Sequence, residues 1–301
     1  MTHFVDRLLE AASRLGAPVC VGIDPTYDRL PAAITTQRHF NDPDDDESAA
    51  DAIFEFSRTV LRVVSPHVPA VKFQSACFER YHAAGIQCLT GLIEEARSMG
   101  LLVILDAKRG DIGSSSEHYA AGCLADGEDS MGPDALTVNS YLGADGIKPF
   151  IDTAAAEGKG LFALVRTSNP GGDALQSLEL KDGRTVAEAV AGMIAEAGSG
   201  HVGQRGYSLL GAVVGATKPQ DAAKLRQIMP QQLFLVPGYG AQGGGADDVK
   251  ACFKADGSGA IITASRSITY AFANANDADW SGKVAAAAAE LNQQIAAIVK
   301  G

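Results

Sequence analysis

The chain lacks the marks of several common protein classes. Its five cysteines (Cys20, Cys77, Cys88, Cys123, Cys252) are scattered, odd in number and never spaced C-x-x-C. That excludes a disulfide framework and a zinc ribbon, and leaves the pattern of a reduced, cytoplasmic protein. The six histidines (His3, His39, His67, His82, His118, His201) show no metal-ligand spacing. No apolar run approaches membrane-spanning length. The N-terminal stretch MTHFVDRLLEAASRLG carries charges throughout and reads as an amphipathic helix over about residues 3–14, not as a signal peptide. Positive charge is in deficit, with a formal net charge of −11. This argues against general binding to nucleic acid or anionic lipid. No G-x-G-x-x-G follows the first strand, which disfavours a dinucleotide fold. No solenoid repeat or low-complexity linker divides the chain.

What is present is a regular alternation. The chain has 301 residues and is 46% hydrophobic, enough for a sizeable core. Short apolar runs recur at residues 18–23, 70–74, 101–105, 135–139, 161–166, 210–214, 233–236 and 260–263. Each is followed by a helical pattern, the longer ones near residues 48–64, 78–99, 112–125, 146–156, 186–197 and 219–228. An Ala-rich helix over about residues 281–299 closes the chain. Eight such units in a chain of this length predict a (β/α)₈ TIM barrel as one domain spanning 1–301; a doubly wound open sheet is the runner-up. The acidic stretch 38–47 reads as a solvated surface loop.

The most informative stretch is Leu101–Ala121, LLVILDAKRGDIGSSSEHYAA. A buried strand ends in Asp106-Ala107-Lys108-Arg109-Gly110-Asp111. On extended backbone Asp106 and Lys108 point the same way. Asp111 follows at the start of a helix. An acid, a base and a second acid therefore meet at the carboxyl end of a strand, where α/β folds do chemistry. The plain alternative is a surface ion pair and a helix cap. Ser114-x-x-Glu117 supplies a capping box of its own, which leaves Asp111 less needed as a cap.

In a barrel the polar residues at the strand ends share one rim: Asp24, Lys72, Asp106, Lys108, Asn139, Thr167, Ser168, Gln242 and Arg266. Taken alone, Lys72 inside an apolar strand reads as a snorkelling side chain. The Gly-rich loop after the seventh strand and Arg266 after the eighth occupy the adjacent positions where barrels bind phosphate. Lys72, Asp106, Lys108 and Asp111 alternate in charge, and such a set keeps its members ionised. A lysine between carboxylates is a poor nucleophile and a good proton donor. A fixed carboxylate beside an anionic substrate suits a reaction that removes that charge. The layout suits decarboxylation followed by protonation at carbon.

With these residues in place, the chain resembles the orotidine 5′-phosphate decarboxylase family, in its longer bacterial form. The resemblance rests on D-x-K-x-x-D-I at Asp106–Ile112, together with Val71–Gln74, Thr137–Gly143, Arg166–Gly171, Val214–Thr217, Pro237–Gly244 and Ser265–Arg266. The blocks run in order from Asp24 to Arg266. The D-x-K-x-x-D run alone is shared with sugar-phosphate lyases.

The resemblance implies a dimeric, cofactor-free, metal-free barrel that converts orotidine 5′-phosphate to UMP. Lys108 would protonate C6 as CO₂ leaves, Asp106 would crowd the substrate carboxylate, and Lys72 would complete the network. Asp111 would reach across the dimer interface to the partner's ribose. Asp24 would bind ribose hydroxyls, Ser168 the pyrimidine, and Gln242 and Arg266 the phosphate. Ile112, Ser115, Asn139, Thr167, Pro237 and Ser265 complete the substrate-binding set. Ser265 stands where many relatives carry glycine, Tyr239 marks the phosphate loop, and the acidic stretch near Asp44 looks like an addition. Two other readings remain: a Mg²⁺-dependent sugar-phosphate decarboxylase or aldolase of the same barrel type, and an inactive nucleotide-binding barrel.

Overall fold

The computed structural model describes residues 3–37, 39–127, 131–240 and 245–300. Eight strands form a closed parallel barrel in sequence order. They are β1 (Val19–Ile23), β2 (Ala70–Gln74), β3 (Leu102–Arg109), β4 (Ala135–Val138), β5 (Gly160–Arg166), β6 (Leu210–Val214), β7 (Phe234–Val236) and β8 (Ala260–Ala264), with β8 pairing back on β1. The helices are α1 (Phe4–Leu15), α2 (Ala32–Thr35), α3 (Asp46–Val64), α4 (Ala76–Glu79), α5 (His82–Ser98), α6 (Gly113–Leu124) and α7 (Ala144–Glu157). Beyond β5 come α8 (Asp173–Gln176), α9 (Val186–Gly198), α10 (Pro219–Ile228), α11 (Ala246–Lys250), α12 (Arg266–Thr269) and α13 (Trp280–Lys300). The barrel expected from the alternation is the one observed.

Successive residues of a strand face opposite sides of the sheet, so each strand feeds two cores. Val19, Val21 and Ile23 of β1, with Val71, Phe73, Val103 and Leu105, pack outward under the helices. Cys20, Ala70, Leu102, Ile104, Ala135, Phe162, Leu235 and Ile261 point inward and fill the barrel floor. Amphipathic α1 plugs the bottom of that interior. Its Phe4, Val5 and Leu8 join the inner cluster, and Phe4 meets Phe162 edge-on at 6.1 Å between ring centroids. Gly160 makes room for it, since a Cβ there would sit 2.1 Å from the Phe4 ring. The same rows, continued toward the carboxyl ends of the strands, turn polar: Ala70–Lys72–Gln74, Leu102–Ile104–Asp106, Ala135–Thr137 and Ile261–Thr263. That switch, from apolar floor to polar rim, positions the site.

Several local expectations change. α3 begins at Asp46, two residues earlier than expected, because Asp45 of the acidic stretch accepts from Ser48 N at 2.9 Å and caps it. The helix expected over 78–99 is two helices, separated at Arg80–Tyr81, and His82 takes a positive φ of 46°. β3 does not stop at Leu105. It continues to Arg109 through a register shift against β4, carrying the acid-base run on strand backbone. The expected Ser114–Glu117 capping box is absent: α6 opens at Gly113, so Ser114 already lies inside the helix, and the N-cap position, Ile112, has no side-chain bond. A capping box is found at α9, where Thr185 and Glu188 bond reciprocally.

If α1 closes the floor, Phe4→Ala opens a cavity between Phe162 and Gly160. The expected cost is about 3–5 kcal/mol of unfolding free energy in urea titration; a loss below about 1 kcal/mol would contradict this packing.

Candidate active site

The inward rows of β2 and β3 converge on one carboxylate. Asp106, only 8% exposed, accepts at all available directions. Its Oδ2 takes a hydrogen bond from Lys72 Nζ at 2.7 Å and from Gln74 Nε2 at 3.3 Å. Its Oδ1 takes one from Lys108 Nζ at 2.6 Å and from Thr137 Oγ1 at 2.9 Å. The two lysines thus sit on opposite oxygens of one acid. Lys72 is buried and does not snorkel. Its second anionic neighbour is Asp24, with Oδ1 at 3.9 Å.

Backbone geometry explains how Lys108 reaches the site. Its φ is +49°, a left-handed conformation that costs a non-glycine residue about 1–2 kcal/mol. The Lys108 N–H donates to Thr137 Oγ1 at 3.0 Å, which helps hold it there. Thr137 therefore ties the Lys108 backbone and the Asp106 carboxylate together. The ammonium remains partly open, its side chain 44% exposed, toward the cavity.

The ionisation states follow from burial and pairing. Burial alone would lower the Lys72 pKa, but Asp106 and Asp24 outweigh it and push it above the ordinary lysine value. Burial alone would raise the Asp106 pKa, but Lys72 and Lys108 outweigh it and hold the carboxyl well below the usual carboxylate range. Cys20, beneath Lys72, is pushed by burial up to about 12 and stays a thiol. It packs the floor and is no nucleophile.

A cavity of about 460 Å³ opens above this cluster. Asp24, Lys72, Asp106 and Lys108 line it. Thr167, Ser168, Pro237, Ser265 and Arg266 line the rest of the predicted set. β1 and β8 approach closely at its edge, and a Cβ on Gly22 would lie 2.7 Å from Ser265 Cβ. Ser265 Oγ donates to Asp24 Oδ2 at 2.6 Å and so orients an acid of the rim. Asp24 Oδ1 is buried without a hydrogen-bond partner among the described residues, and is aimed toward Lys72. Arg266 opens α12, exposed, and among the described residues it makes no ion pair.

Four predicted residues lie off the cavity: Asp111, Ile112, Ser115 and Asn139. Asn139 instead shapes the turn after β4. Its N–H donates to Arg109 O at 2.7 Å and its Oδ1 accepts from Tyr141 N at 3.0 Å. Ser115 is exposed on α6, and Asp111 Oδ1 accepts from Ile112 N at 2.8 Å. Gln242 lies outside the described residues. Gln74, Thr137, Asn169, Gly238 and Thr263, which the sequence motifs do not single out individually, also line the cavity, as does Tyr239. Thr137 and Thr263 had a legible signal: each is a polar residue at an inward position of an apolar strand, as Lys72 is. Among the described residues no three His, Cys, Asp or Glu side chains gather as a metal site.

Removing the charge of Asp106 leaves Lys72 buried beside Asp24 alone. Asp106→Asn is expected to cost about 3–5 kcal/mol in urea unfolding at pH 7. The sign with pH follows. Stabilisation from the depressed Asp106 is present above its ordinary pKa and lost as pH falls through the lower folded value. Stabilisation from the raised Lys72 is present below its ordinary pKa and lost only as pH rises through the higher one. The gap between wild type and Asp106→Asn should therefore stay level from about pH 5 to 9 and narrow in acid. A gap that changed steadily across neutral pH would contradict this pairing.

This geometry has relatives. The family model for the orotidine 5′-phosphate decarboxylase / HUMPS family matches residues 17–279. An orotidine 5′-phosphate decarboxylase of Rhodopirellula baltica is 40% identical over 98% of this chain and 99% of its own length. One from Caldicellulosiruptor bescii is 36% identical over 99% of this chain and 100% of its own. The structure of Leishmania donovani OMP decarboxylase superposes with a TM-score of 0.76 at 30% identity, covering 100% of both chains. A Streptomyces avermitilis structure reaches a TM-score of 0.81 at 34% identity, covering 100% of this chain and 97% of that one. With a closed barrel, an alternating lysine-aspartate cluster at its rim and matches over almost its whole length, this chain belongs to the orotidine 5′-phosphate decarboxylase family.

Proposed function

We propose that the chain converts orotidine 5′-phosphate to UMP and CO₂, a step of pyrimidine biosynthesis, in the cytoplasm and without metal or cofactor. One observation carries the reading: Asp106, ionised and clamped between Lys72 and Lys108, faces a cavity that Arg266 also lines. In the reaction the bond between C6 and the carboxylate breaks. The electron pair stays on C6, CO₂ departs, and Lys108 Nζ gives a proton to C6. Solvent then reprotonates the lysine, whose side chain is partly open.

The energetics fit this division of roles. Asp106 cannot escape the substrate carboxylate by taking a proton, because two ammonium groups hold it ionised. Losing the carboxylate charge relieves that crowding. The carbanion forms beside the Lys108 ammonium, a preorganised charge. Enzymes lower barriers by about 8–23 kcal/mol, and binding energy from the distant phosphate adds to what the lysine supplies. Arg266, Gln242, Pro237 and the loop after β7 hold the phosphate. Asp24, oriented by Ser265, binds ribose hydroxyls. Thr167 and Ser168 face the base.

Asp111, Ile112 and Ser115 lie off the cavity of their own protomer, and this supports a homodimer in which they complete the partner's site. A Cβ on Gly146 of α7 would meet Asp111 O at 2.9 Å and Leu142 Cβ at 3.4 Å, so Asp111 sits beside Leu142. Ile112 and Tyr141, 58% and 74% exposed, extend an apolar surface there. Such a surface on one face suits an isologous contact.

EDTA-treated protein should convert orotidine 5′-phosphate to UMP, followed by absorbance. Lys108→Ala should keep UMP affinity while kcat falls below about a hundredth of wild type. Absence of turnover in the wild-type chain, or its rescue only by Mg²⁺, would overturn the reading. The shared site has its own test. Lys108→Ala and Asp111→Ala homodimers should each be nearly inactive. An equal, reassorted mixture should recover about a quarter of wild-type activity, because each heterodimer regains one intact site. No recovery on mixing would place Asp111 outside the partner's site.

A further inference from the structure

Arg166 ends β5, one residue before the cavity wall, yet it does not line the cavity. It is 2% exposed. A register shift against β6 between Leu164 and Arg166 accompanies the change: Leu164 and Thr167 face the cavity, and Arg166 faces away. Its guanidinium ties the end of β5 to two segments, α8 and α10. Nε donates to Asp221 of α10 at 2.7 Å. Nη2 donates to Asp173 at the start of α8 and to Ser177 Oγ just beyond it, the latter at 3.2 Å. Nη1 donates to Gln176 Oε1 at 3.1 Å.

Gln176 passes this order inward. Its Oε1 also accepts from Thr167 N at 2.9 Å, and its Nε2 donates to Thr167 Oγ1 at 2.8 Å. The side-chain amide therefore grips Thr167 at two points. Its orientation is set because Arg166 demands the oxygen on its own side. Packing leaves little slack around the grip: a Cβ on Gly172 would lie 2.8 Å from Thr167 Oγ1 and 3.3 Å from Gln176 Oε1. Next along the wall, Gly215 lies against Ser168, where a Cβ would come within 2.9 Å of its backbone. Gly215 N donates to Arg166 O at 2.8 Å. Asp173 is held a second time, by Lys218 Nζ at 2.8 Å.

We propose that Arg166 is a positioning residue for the base-binding wall: through Gln176 it sets Thr167 and Ser168 for the pyrimidine, without touching substrate. A planar fork is needed for this, since it reaches four acceptor side chains in different directions while held by the strand end. A lysine at the same place would keep the charge and lose the fork. Part of the binding specificity for the base is thus held on the far side of the wall from the ligand. This rests on the reading that the cavity takes a pyrimidine nucleotide.

The test separates the base from the rest of the ligand. Inhibition constants for UMP and for ribose 5-phosphate are measured against orotidine 5′-phosphate turnover in wild type and in Arg166→Lys. In Arg166→Lys the constant for UMP should rise about tenfold, while that for ribose 5-phosphate stays within about twofold. Equal weakening of both, as general loosening would give, overturns the proposal, and so does an unchanged UMP constant. If Arg166→Lys does not fold, Gln176→Leu is measured instead. It breaks the grip on Thr167 from the more exposed side and should show the same base-selective loss; no selectivity there overturns the proposal. A wild-type chain that neither turns over orotidine 5′-phosphate nor binds UMP fails at the earlier step, and the functional reading falls with it.

Discussion

Two ammonium groups share one buried carboxylate, and much of the rim is arranged around that fact. A carboxyl buried as Asp106 is would, without partners, be pushed toward its protonated form. Asp106 stays ionised because Lys72 and Lys108 approach from opposite sides and Gln74 and Thr137 fill its remaining acceptor directions. Each partner is conditioned by the others. Lys72 keeps its charge in a buried position only because Asp106 and Asp24 face it. Lys108 occupies a left-handed backbone conformation with its N–H bonded to the hydroxyl that also serves Asp106. A charge held in this way needs no rearrangement when a carboxylate-bearing ligand arrives, which is the condition for electrostatic catalysis.

The barrel separates stability from chemistry along its axis. Below, inward residues are apolar and α1 seals them with Phe4, Val5 and Leu8. Above, the same rows carry Lys72, Asp106, Thr137 and Thr263 into the cavity. The wall formed by Thr167 and Ser168 is supported from behind by Arg166 and from beside by Gly215. The site is therefore assembled from strand ends held by a packed interior, with loops tied to it by buried polar groups.

Legibility in the sequence differed by residue. Asp106 and Lys108 could be read from a strand pattern ending in D-x-K, although Lys108 reaches the cavity through a left-handed backbone and not through regular alternation. Arg266 and the glycine-rich loop could be read from their place after the last two strands. Lys72 was ambiguous, because a lysine in an apolar run looks the same whether it snorkels or pairs; its partner lies 34 positions away. Ser114–Glu117 matched a cap pattern but fell inside α6, whose N-cap is Ile112, a two-residue offset that spacing alone does not detect. Asn139 followed a strand as a rim residue should, yet its side chain is engaged by the local turn.

By itself the sequence determined the number and order of the units. Hydrophobic periodicity and turn residues are local signals, and eight strand-helix units of this length favour a barrel over a doubly wound open sheet. It also determined which residue types stand at the strand ends, and so the class of chemistry. The tertiary structure alone decided which of them meet. Closure of the barrel sets the register that puts Lys72 and Asp106 within 2.7 Å, turns Arg166 outward and leaves Asp111 off its own cavity. Those outcomes depend on shear, bulges and packing between segments far apart in the chain, which no local pattern encodes.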